Sequence, residues 1–381
     1  MTPSCHILAD DLTGALDCAT AFADGHEVPV ALGSPAQLPS RARIEVCAIA
    51  SRALAIPALH ARLAASIDWL GQAQLRFKKV DSLLRGNTFA ELAWLASSKR
   101  FRQLVLAPAF PAQGRCVRGG RLLVSGTAAG EGVTTLSLRN ALQQLGMSPR
   151  PGGGRFGTTD IAIPDANCDA DLDAVVAAFA PPCEDVLWCG SAGLAQALAR
   201  AHGFATSPAR PVGRPSASKV LIATGSRHPV LRAQLAHLSA HASATNAAAS
   251  CARWPGFHVE DFGSAGIHLP KDQAEGALAA GAAVVVAAHA TTAPDMLVAI
   301  GGDSLLALCE AAGATALSAG VSPRPGWGSA RLLGGRWDGL RCLSRSGAFG
   351  DADDLSALLA SLGSTPASAP HDASFETSLT P

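Results

Sequence analysis

The segment Ile7-Leu-Ala-Asp10-Asp11-Leu-Thr13-Gly14-Ala15 decides the fold class of this chain. The apolar run Cys5 to Ala9 predicts a buried strand, and Thr13 to Ala23 predicts the helix that follows it. The same step recurs at Val186 to Cys189, before a predicted helix from Ala192 to Ala201. Such alternation is typical of α/β proteins with largely parallel sheets.

A chain of 381 residues is long enough for two domains. A stretch rich in proline and small polar residues predicts a linker at 206–218. We therefore expect two Rossmann-like α/β domains, at 1–205 and 219–363, with a substrate cleft between them. The tail at 364–381 is rich in Ser, Pro and Ala and is predicted to be loosely ordered. Strands of the second domain are predicted at Val220 to Ala223, Ala283 to Ala287, Met296 to Ile300 and Leu340 to Ser344.

The composition argues against several classes of protein. Thirty basic and thirty acidic residues cancel, which disfavours nucleic acid or an anionic membrane as a partner and favours a small molecule. The N-terminus has no basic stretch followed by a long apolar one, so a cytoplasmic location is expected. Ten cysteines never form C-x-x-C, and eleven histidines never form H-E-x-x-H, so neither a zinc site nor a disulfide framework is favoured, and the metal-binding residues are left unassigned. Assembly as a homodimer stays open.

Two adjacent carboxylates, Asp10 and Asp11, follow the first predicted strand. Open α/β sheets bind ligands at the carboxyl ends of their strands. Acids there can hold a substrate hydroxyl, accept its proton or bind magnesium-bound phosphate. The alternative is that Asp11 or Thr13 caps the helix. Because capping employs one carboxylate and leaves the other unused, a functional site is favoured.

A second polar cluster is Phe77-Lys78-Lys79-Val-Asp81-Ser82-Leu-Leu-Arg85-Gly86-Asn87. Strand alternation predicts that the two lysines point to opposite faces of the sheet. One lysine could then reach a ligand carboxylate, while Arg85 offers a planar fork to the same anion. The alternative is a solvated basic edge that pairs locally with Asp81.

Two further arginines stand near predicted strand ends. Arg115 closes the turn that begins at Pro108, which proline and glycine hold in a fixed shape. Arg52 follows Ser51 in a neighbouring loop. Either arginine could contact a substrate, and a structural turn is an equal alternative.

Three glycine-bearing loops follow strands of the second predicted domain: Ala223-Thr-Gly-Ser226, Ile300-Gly-Gly-Asp-Ser304 and Ser344-Arg-Ser-Gly-Ala-Phe-Gly350. Glycine lets backbone amides approach phosphate closely, and neighbouring hydroxyls add donors. Each loop alone is an ordinary turn, but together they predict a nucleotide-phosphate site. There is no Walker-type motif, and the G-x-G-x-x-G of Gly152 to Gly157 is interpreted as a loop because no helix follows it.

These motifs, in this order, resemble the four-carbon acid sugar kinase family, in which an acid-sugar-binding domain faces a nucleotide-binding domain. The resemblance runs through ADDLTGA from Ala9, Ser51-Arg52, KKVDSLLRGN from Lys78, PAFPAQGR from Pro108, Asp165-Ala166, Asp171-Leu172, GSAGLA from Gly190, TGS from Thr224, GGDS from Gly301 and SGAFGD from Ser346. It implies phosphorylation of erythronate, threonate, 3-oxo-tetronate or a related short hydroxy-acid, with ATP and Mg²⁺. The sequence departs from the family pattern at Leu83, Ser304 and Arg345.

The resemblance also implies roles for single residues. Asp10 or Asp11 would be the catalytic base, and the sequence does not choose between them. The expected acid-sugar-binding residues are Arg52, Lys79, Asp81, Ser82, Arg85, Gly86, Asn87 and Arg115. The expected ATP-binding residues are Ser226, Gly301, Gly302, Asp303, Ser304, Ser346 and Gly347.

Three other functions are alternatives to the kinase. A non-catalytic acid-sugar or nucleotide-binding sensor derived from such a kinase is the main alternative. A phosphatase of the haloacid dehalogenase type is disfavoured because it needs D-x-D spacing, whereas Asp10 and Asp11 are adjacent. A nicotinamide-dependent dehydrogenase would need the dinucleotide fingerprint rejected above.

Overall fold

The structure is a computed structural model, and it describes residues 4–23, 26–38, 42–125, 134–150, 152–179, 185–204, 217, 219–247, 256–263, 271–322 and 326–363. The predicted linker, apart from Ala217, and the predicted tail lie outside these residues. None of the helices in the described residues is both long and apolar enough to span a membrane.

Strands and helices alternate through most of the described chain. The strands are β1 (Cys5–Ala9), β2 (Val28–Leu32), β3 (Ile44–Ala48), β4 (Leu75–Lys79), β5 (Gln103–Ala107), β6 (Arg115–Arg118), β7 (Arg121–Val124), β8 (Thr134–Ser137), β9 (Ser148–Arg150), β10 (Gly153–Phe156), β11 (Thr159–Ala162), β12 (Val186–Gly190), β13 (Lys219–Thr224), β14 (Gly256–Asp261), β15 (Met296–Ile300), β16 (Ala316–Gly320), β17 (Gly328–Leu333) and β18 (Arg341–Arg345). The α-helices are α1 (Leu12–Phe22), α2 (Ile56–Gln72), α3 (Thr88–Ser97), α4 (Leu138–Gln143), α5 (Asp169–Ala178), α6 (Ala192–Ala201), α7 (Pro229–Ala247), α8 (Lys271–Ala288), α9 (Gly302–Ala312) and α10 (Asp354–Gly363).

One large sheet carries both halves of the chain. Within the described residues its order is β14-β13-β15-β18-β17-β16-β2-β3-β1-β4-β12-β5-β11-β10-β9, and β6, β7 and β8 form a separate small sheet. The strands β3, β1, β4, β12 and β5 are parallel, as are β14, β13, β15 and β18. The predicted α/β class is confirmed. The two halves join where β16 pairs antiparallel with β2.

Helix α1 lies at the junction of the two halves. It packs against β1 and α6 of the first half and against β16, β17, β18 and α9 of the second. Its buried residues include Leu12, Leu16 and Phe22, which belong to a core that continues into Leu297 and Leu305. The two halves are therefore packed against one shared helix.

Two sequence predictions were wrong. The strand predicted at Ala283 to Ala287 is the last part of α8, because Ala282, Val285 and Val286 are buried at helical spacing while Val284 is 69% exposed. The β-branched valines suggested a strand, but packing of α8 against α9 decides for a helix. The segment Gly152 to Gly157, predicted as a loop, forms β10 in antiparallel pairing with β9 and β11.

The two adjacent lysines of β4 point to opposite faces, as the alternation predicts. Lys78 is fully buried against α3, where its Nζ lies 2.6 Å from Glu91 Oε2. Lys79 lies beside the start of α1, where a Cβ built on Gly14 would be 2.6 Å from its Nζ. Of the two lysines, Lys78 therefore has a structural role, and Lys79 is the one that lies beside the start of α1.

We predict that Glu91→Ala lowers the free energy of unfolding by about 3–5 kcal/mol, because it leaves the ammonium of Lys78 buried and unpaired. The double variant Lys78→Met, Glu91→Leu should recover most of this loss, since it removes both charges and keeps the volume. Urea unfolding followed by circular dichroism measures both. Arg200→Ala is the control, because its ion pair with Asp173 is exposed and should contribute about 0–1 kcal/mol. Equal losses for Glu91→Ala and Arg200→Ala would contradict the prediction.

Candidate active site

The guanidinium of Arg52 joins three carboxylates at the ends of neighbouring strands. Its Nε lies 2.7 Å from Asp10 Oδ2 and its Nη1 lies 2.9 Å from Asp11 Oδ2, both just after β1. Its Nη2 lies 3.0 Å from Asp81 Oδ1, just after β4. Arg52 itself follows β3, which pairs with β1. The parallel order β3-β1-β4 thus brings together the first three polar motifs of the sequence.

Asp11 caps helix α1 and takes part in the cluster at the same time. Its Oδ1 accepts a hydrogen bond from the Gly14 backbone N at 3.0 Å. Its Oδ2 accepts from Thr13 Oγ1 at 2.6 Å, in addition to Arg52. The capping alternative is correct for Asp11, but it does not exclude a ligand-binding role. Asp10 is bound to Arg52 through Oδ2, while its buried Oδ1 has no hydrogen-bond partner among the described residues.

The loop after β4 is held by local hydrogen bonds. Asp81 accepts two side-chain bonds from Arg85, at 2.8 and 2.7 Å, and Arg85 keeps about half of its side chain exposed (49%). Asn87 Nδ2 donates to the backbone oxygens of Ser51 and Leu54, which fixes the loop that carries Arg52. Gly86 has φ +67°, and a Cβ there would lie 2.5 Å from the Arg52 backbone oxygen.

A small cavity opens beside this cluster. It is lined by the candidate base Asp11 and by five of the predicted acid-sugar-binding residues: Arg52, Lys79, Asp81, Ser82 and Arg85. Asp10, Gly86, Asn87 and Arg115 are not among the described residues that line it. The guanidinium of Arg115 is buried over the ring of Phe349, 5.1 Å from its centroid, and Phe349 does line the cavity. Arg115 Nε and Nη1 have no hydrogen-bond partner among the described residues.

A larger cavity of about 580 Å³ lies next to the small one. The ends of β13, β15 and β18, which are adjacent parallel strands, form part of its wall. The predicted nucleotide-site residues all line it: Ser226, Gly301, Gly302, Asp303, Ser304, Ser346 and Gly347. The three glycine loops therefore lie together around one cavity, whose volume is typical of a small-molecule site.

The two cavities meet at a few residues that line both of them. These are Asp11, Thr13, Arg52, Arg85 and Ser346. The contact between the halves is close, because a Cβ built on Gly302 would lie 2.7 Å from Asp11 Oδ2. Only glycine at 302 leaves this space between the loop after β15 and the start of α1.

Burial and neighbouring charges shift the pKa values of the three carboxyl groups in different directions. Burial acts to raise the pKa of Asp11, but the charges of Arg52 and Lys79 outweigh it and hold the pKa below its usual value. At Asp10 the effect of burial is larger than the opposing effect of the Arg52 charge, so the pKa is raised. Burial also acts to raise the pKa of Asp81, but the hydrogen bonds from Arg85 and the charge of Arg52 hold it well below its usual range. Asp11 and Asp81 are therefore ionised at neutral pH.

The sequence analysis missed several residues of the site. Asp17 lines the small cavity from α1, three residues after Gly14, so helical periodicity from Gly14 would have found it. Phe110 and Phe349 add an apolar wall, with ring centroids 6.4 Å apart. Their convergence had no local signal, because they lie far apart in the sequence.

Other segments that carry the resemblance have structural roles. Asp165 accepts hydrogen bonds from the backbone N–H groups of Gly119 and Gly120, and Asp171 binds the start of α5 through the Asn167 backbone N. Arg345 lies over the Trp327 ring, 4.6 Å from its centroid, and binds Asp354 and Gln234. Asp165 and Asp171 thus hold local turns, whereas Arg345 also lines the small cavity.

Comparisons with known proteins agree with this architecture. Residues 5–140 match the model of a family described as a sugar-binding N-terminal domain. The chain is 29% identical over 404 residues to the D-threonate kinase of Bordetella bronchiseptica, covering 93% of this chain and 96% of that kinase. These matches support the resemblance to the four-carbon acid sugar kinase family. It is also 34% identical over 250 residues to the D-threonate kinase of Cupriavidus necator, an alignment that spans 58% of this chain and 60% of that kinase.

Solved structures share the fold. A Salmonella typhimurium LT2 protein superposes with a TM-score of 0.65 at 18% identity, covering 91% of this chain and 97% of that protein. Haemophilus influenzae protein HI1011, of the DUF1537 family, superposes with a TM-score of 0.61 at 18% identity, covering 93% and 98%. The α/β architecture of this chain is thus shared with crystal structures of low sequence identity.

We predict that Asp17→Asn stabilises the folded chain at pH 8 and much less at pH 4.5. Burial raises the pKa of Asp17 to about 6 against the opposing charge of Lys79, whereas an unfolded aspartate has a pKa of about 3.9. The folded state therefore binds more protons between these values, and folding stability is lost as pH rises through them. The gain at pH 8 should reach up to about 3 kcal/mol, measured by urea unfolding at both pH values. The exposed Asp173→Asn is the control, and an equal gain at both pH values would contradict the prediction.

Proposed function

We propose that this chain is an ATP- and Mg²⁺-dependent kinase that phosphorylates a hydroxyl of a four-carbon acid sugar. The observation that carries the proposal is that Asp11 lies on the wall of both cavities. One cavity has the basic side chains that an acid needs, and the other has the glycine loops that phosphates need. Relatives named D-threonate kinase make D-threonate the first substrate to test.

The small cavity is suited to a short hydroxy-acid. Lys79 and Arg85 line it and can attract a carboxylate, with Arg85 presenting a planar guanidinium. Ser82 and Asp17 also line it and can hydrogen-bond hydroxyl groups. The rings of Phe110 and Phe349 limit its size, which favours a short carbon chain over a larger sugar.

The large cavity fits the phosphates of a nucleotide. Gly301 has φ +104°, a conformation that favours glycine, and it precedes the N-terminus of α9. A Cβ on Gly347 would lie 2.5 Å from Ser226 Oγ, so this loop is packed too closely for a side chain. Backbone N–H groups and hydroxyls in glycine loops and at helix N-termini bind phosphate oxygens.

Carboxylates near the junction are suited to a divalent cation. Burial and the charge of Asp11 raise the pKa of Asp303, which lies in the first turn of α9. A cation would relieve this repulsion, so Asp303 and Asp11 are the residues that would hold Mg²⁺ or its water ligands. When bound, Mg²⁺ neutralises charge on the phosphates.

Asp11 is the proposed base. Its carboxylate is ionised at neutral pH, faces both cavities and can accept the proton of the substrate hydroxyl as that oxygen bonds to the γ-phosphorus of ATP and the bond to ADP breaks. Asp10 is more deeply buried and binds Arg52 through Oδ2, so we assign it a positioning role. Arg52, which lines both cavities, holds the carboxylate of Asp11 and can stabilise charge on the transferred group.

The first experiment is ATP consumption by the purified chain with Mg²⁺ across a panel of acids. The panel should contain D-threonate, the other threonate and erythronate isomers, 3-oxo-tetronate and related hydroxy-acids. We expect turnover on one four-carbon acid above the others, with ADP and a phosphorylated acid formed in equal amounts. ADP binding without turnover on any acid would instead favour a nucleotide-binding sensor and reject the kinase.

We predict that Asp11→Asn lowers kcat by about 10²–10⁴ and leaves ADP binding close to that of the wild type. Asparagine is also a good N-cap, so α1 should remain folded. Steady-state kinetics and calorimetric ADP titration measure the two quantities. Asp173→Asn, on the surface of α5, is the matched control and should keep full activity. Wild-type turnover by Asp11→Asn would exclude it as the base.

A further inference from the structure

Three side chains with metal-binding atoms meet at the edge of the large sheet, outside the kinase site. His258 and Glu260 are two residues apart on β14, which is the outermost strand of the described sheet, so they share one face. His289 directly follows α8. One ligand atom from each of the three residues lies within 4.8 Å of the others.

The distances within this His–Glu–His cluster are close to those around a bound ion. His258 Nε2 lies 2.9 Å from Glu260 Oε1, and His289 Nε2 lies 3.9 Å from the same oxygen. The two imidazole rings are 6.0 Å apart between centroids. Zinc bonds of about 2.0–2.2 Å in a tetrahedron place neighbouring ligand atoms roughly 3.3–3.5 Å apart. The observed distances lie on either side of this value, so small side-chain rotations would complete the geometry.

A second observation points to a ligand at this place. His289 Nε2 is buried, yet it has no hydrogen-bond partner among the described residues. The 3.9 Å separation from Glu260 is too long for a hydrogen bond. A buried polar atom without a partner costs free energy. A metal ion between His289 and Glu260 would give this nitrogen the partner it lacks.

We propose that His258, Glu260 and His289 form a binding site for a zinc-like divalent ion. Two imidazoles and one carboxylate are a common zinc ligand set that leaves a fourth position for water. His258 is 63% exposed, which gives the ion a path from solvent. The adjacent Asp261 is not a fourth ligand, because it pairs with Arg232. Mg²⁺ is disfavoured here, since it prefers oxygen ligands.

The site connects two elements that form the wall of the large cavity. Phe262 and Gly263 follow β14 directly and line that cavity, as do Glu275 and Leu278 of α8. An ion bound by Glu260 and His289 would link β14 to the end of α8. Its binding should therefore stabilise this wall and raise the thermal midpoint of the chain. The proposal does not depend on the kinase function.

The test is a Zn²⁺ titration of the chain after treatment with a chelator, in a background of Cys168→Ser because the exposed thiol of Cys168 could also bind zinc. We expect one tight equivalent of Zn²⁺ and a raised thermal midpoint. His258→Ala and His289→Ala should each weaken binding by about tenfold or more. His60→Ala, an exposed histidine on α2, is the matched control and should bind as the parent does.

Two further measurements distinguish metal binding at this site from loss of folding. Co²⁺ bound at the site should give the intense visible absorption of four-coordinate cobalt, and this absorption should be lost in His289→Ala. Circular dichroism should show that the variants are folded, since His258 lies exposed at a sheet edge. Failure of the parent to bind Zn²⁺, or equal affinity in His258→Ala, His289→Ala and His60→Ala, would overturn the proposal.

Discussion

The ion pairs of Arg52 with Asp10, Asp11 and Asp81 are the constraint on which the candidate site depends. Three buried carboxylates at neighbouring strand ends would repel one another and would carry an uncompensated charge out of water. One guanidinium offers nitrogens in a planar fork and can bind all three. The loop that carries Arg52 must therefore keep its position. The side chain of Asn87 and the absence of a side chain at Gly86 hold it there.

The continuous sheet explains how two sets of strand ends come to share one active site. Because β16 and β17 are antiparallel to their neighbours, the strands β13, β15 and β18 run opposite to β1, β3 and β4. Each step across a sheet rotates the strand direction by roughly 20–25°. This twist accumulates between β18 and β1, so the two edges can turn toward each other. Helix α1 packs against both halves and places Asp11 beside Gly302 at the junction.

Local signals in the sequence predicted much of this structure. Apolar runs predicted both ends of β1 and of β15, and the helical pattern predicted α6. These elements were predictable because their buried positions carry apolar residues, in a run or at helical spacing. The polar residues after these strands were found because parallel strands end at a common edge of the sheet, where ligands bind. The prediction failed at Ala283 to Ala287, where valine favoured a strand and packing against α9 formed a helix. The boundary between domains at 206–218 stays a prediction.

The sequence by itself determined the α/β class, the strand-end motifs and the resemblance to acid sugar kinases, because these depend on residues that are close along the chain. Only the tertiary structure decided that Asp11 rather than Asp10 faces both cavities, that Lys78 pairs with Glu91 on the opposite face, and that Asp17 lines the small cavity. It also brought His289, at the end of α8, to His258 and Glu260 on β14. Such contacts join residues far apart in sequence, and their formation depends on how the strands pair and how the sheet twists.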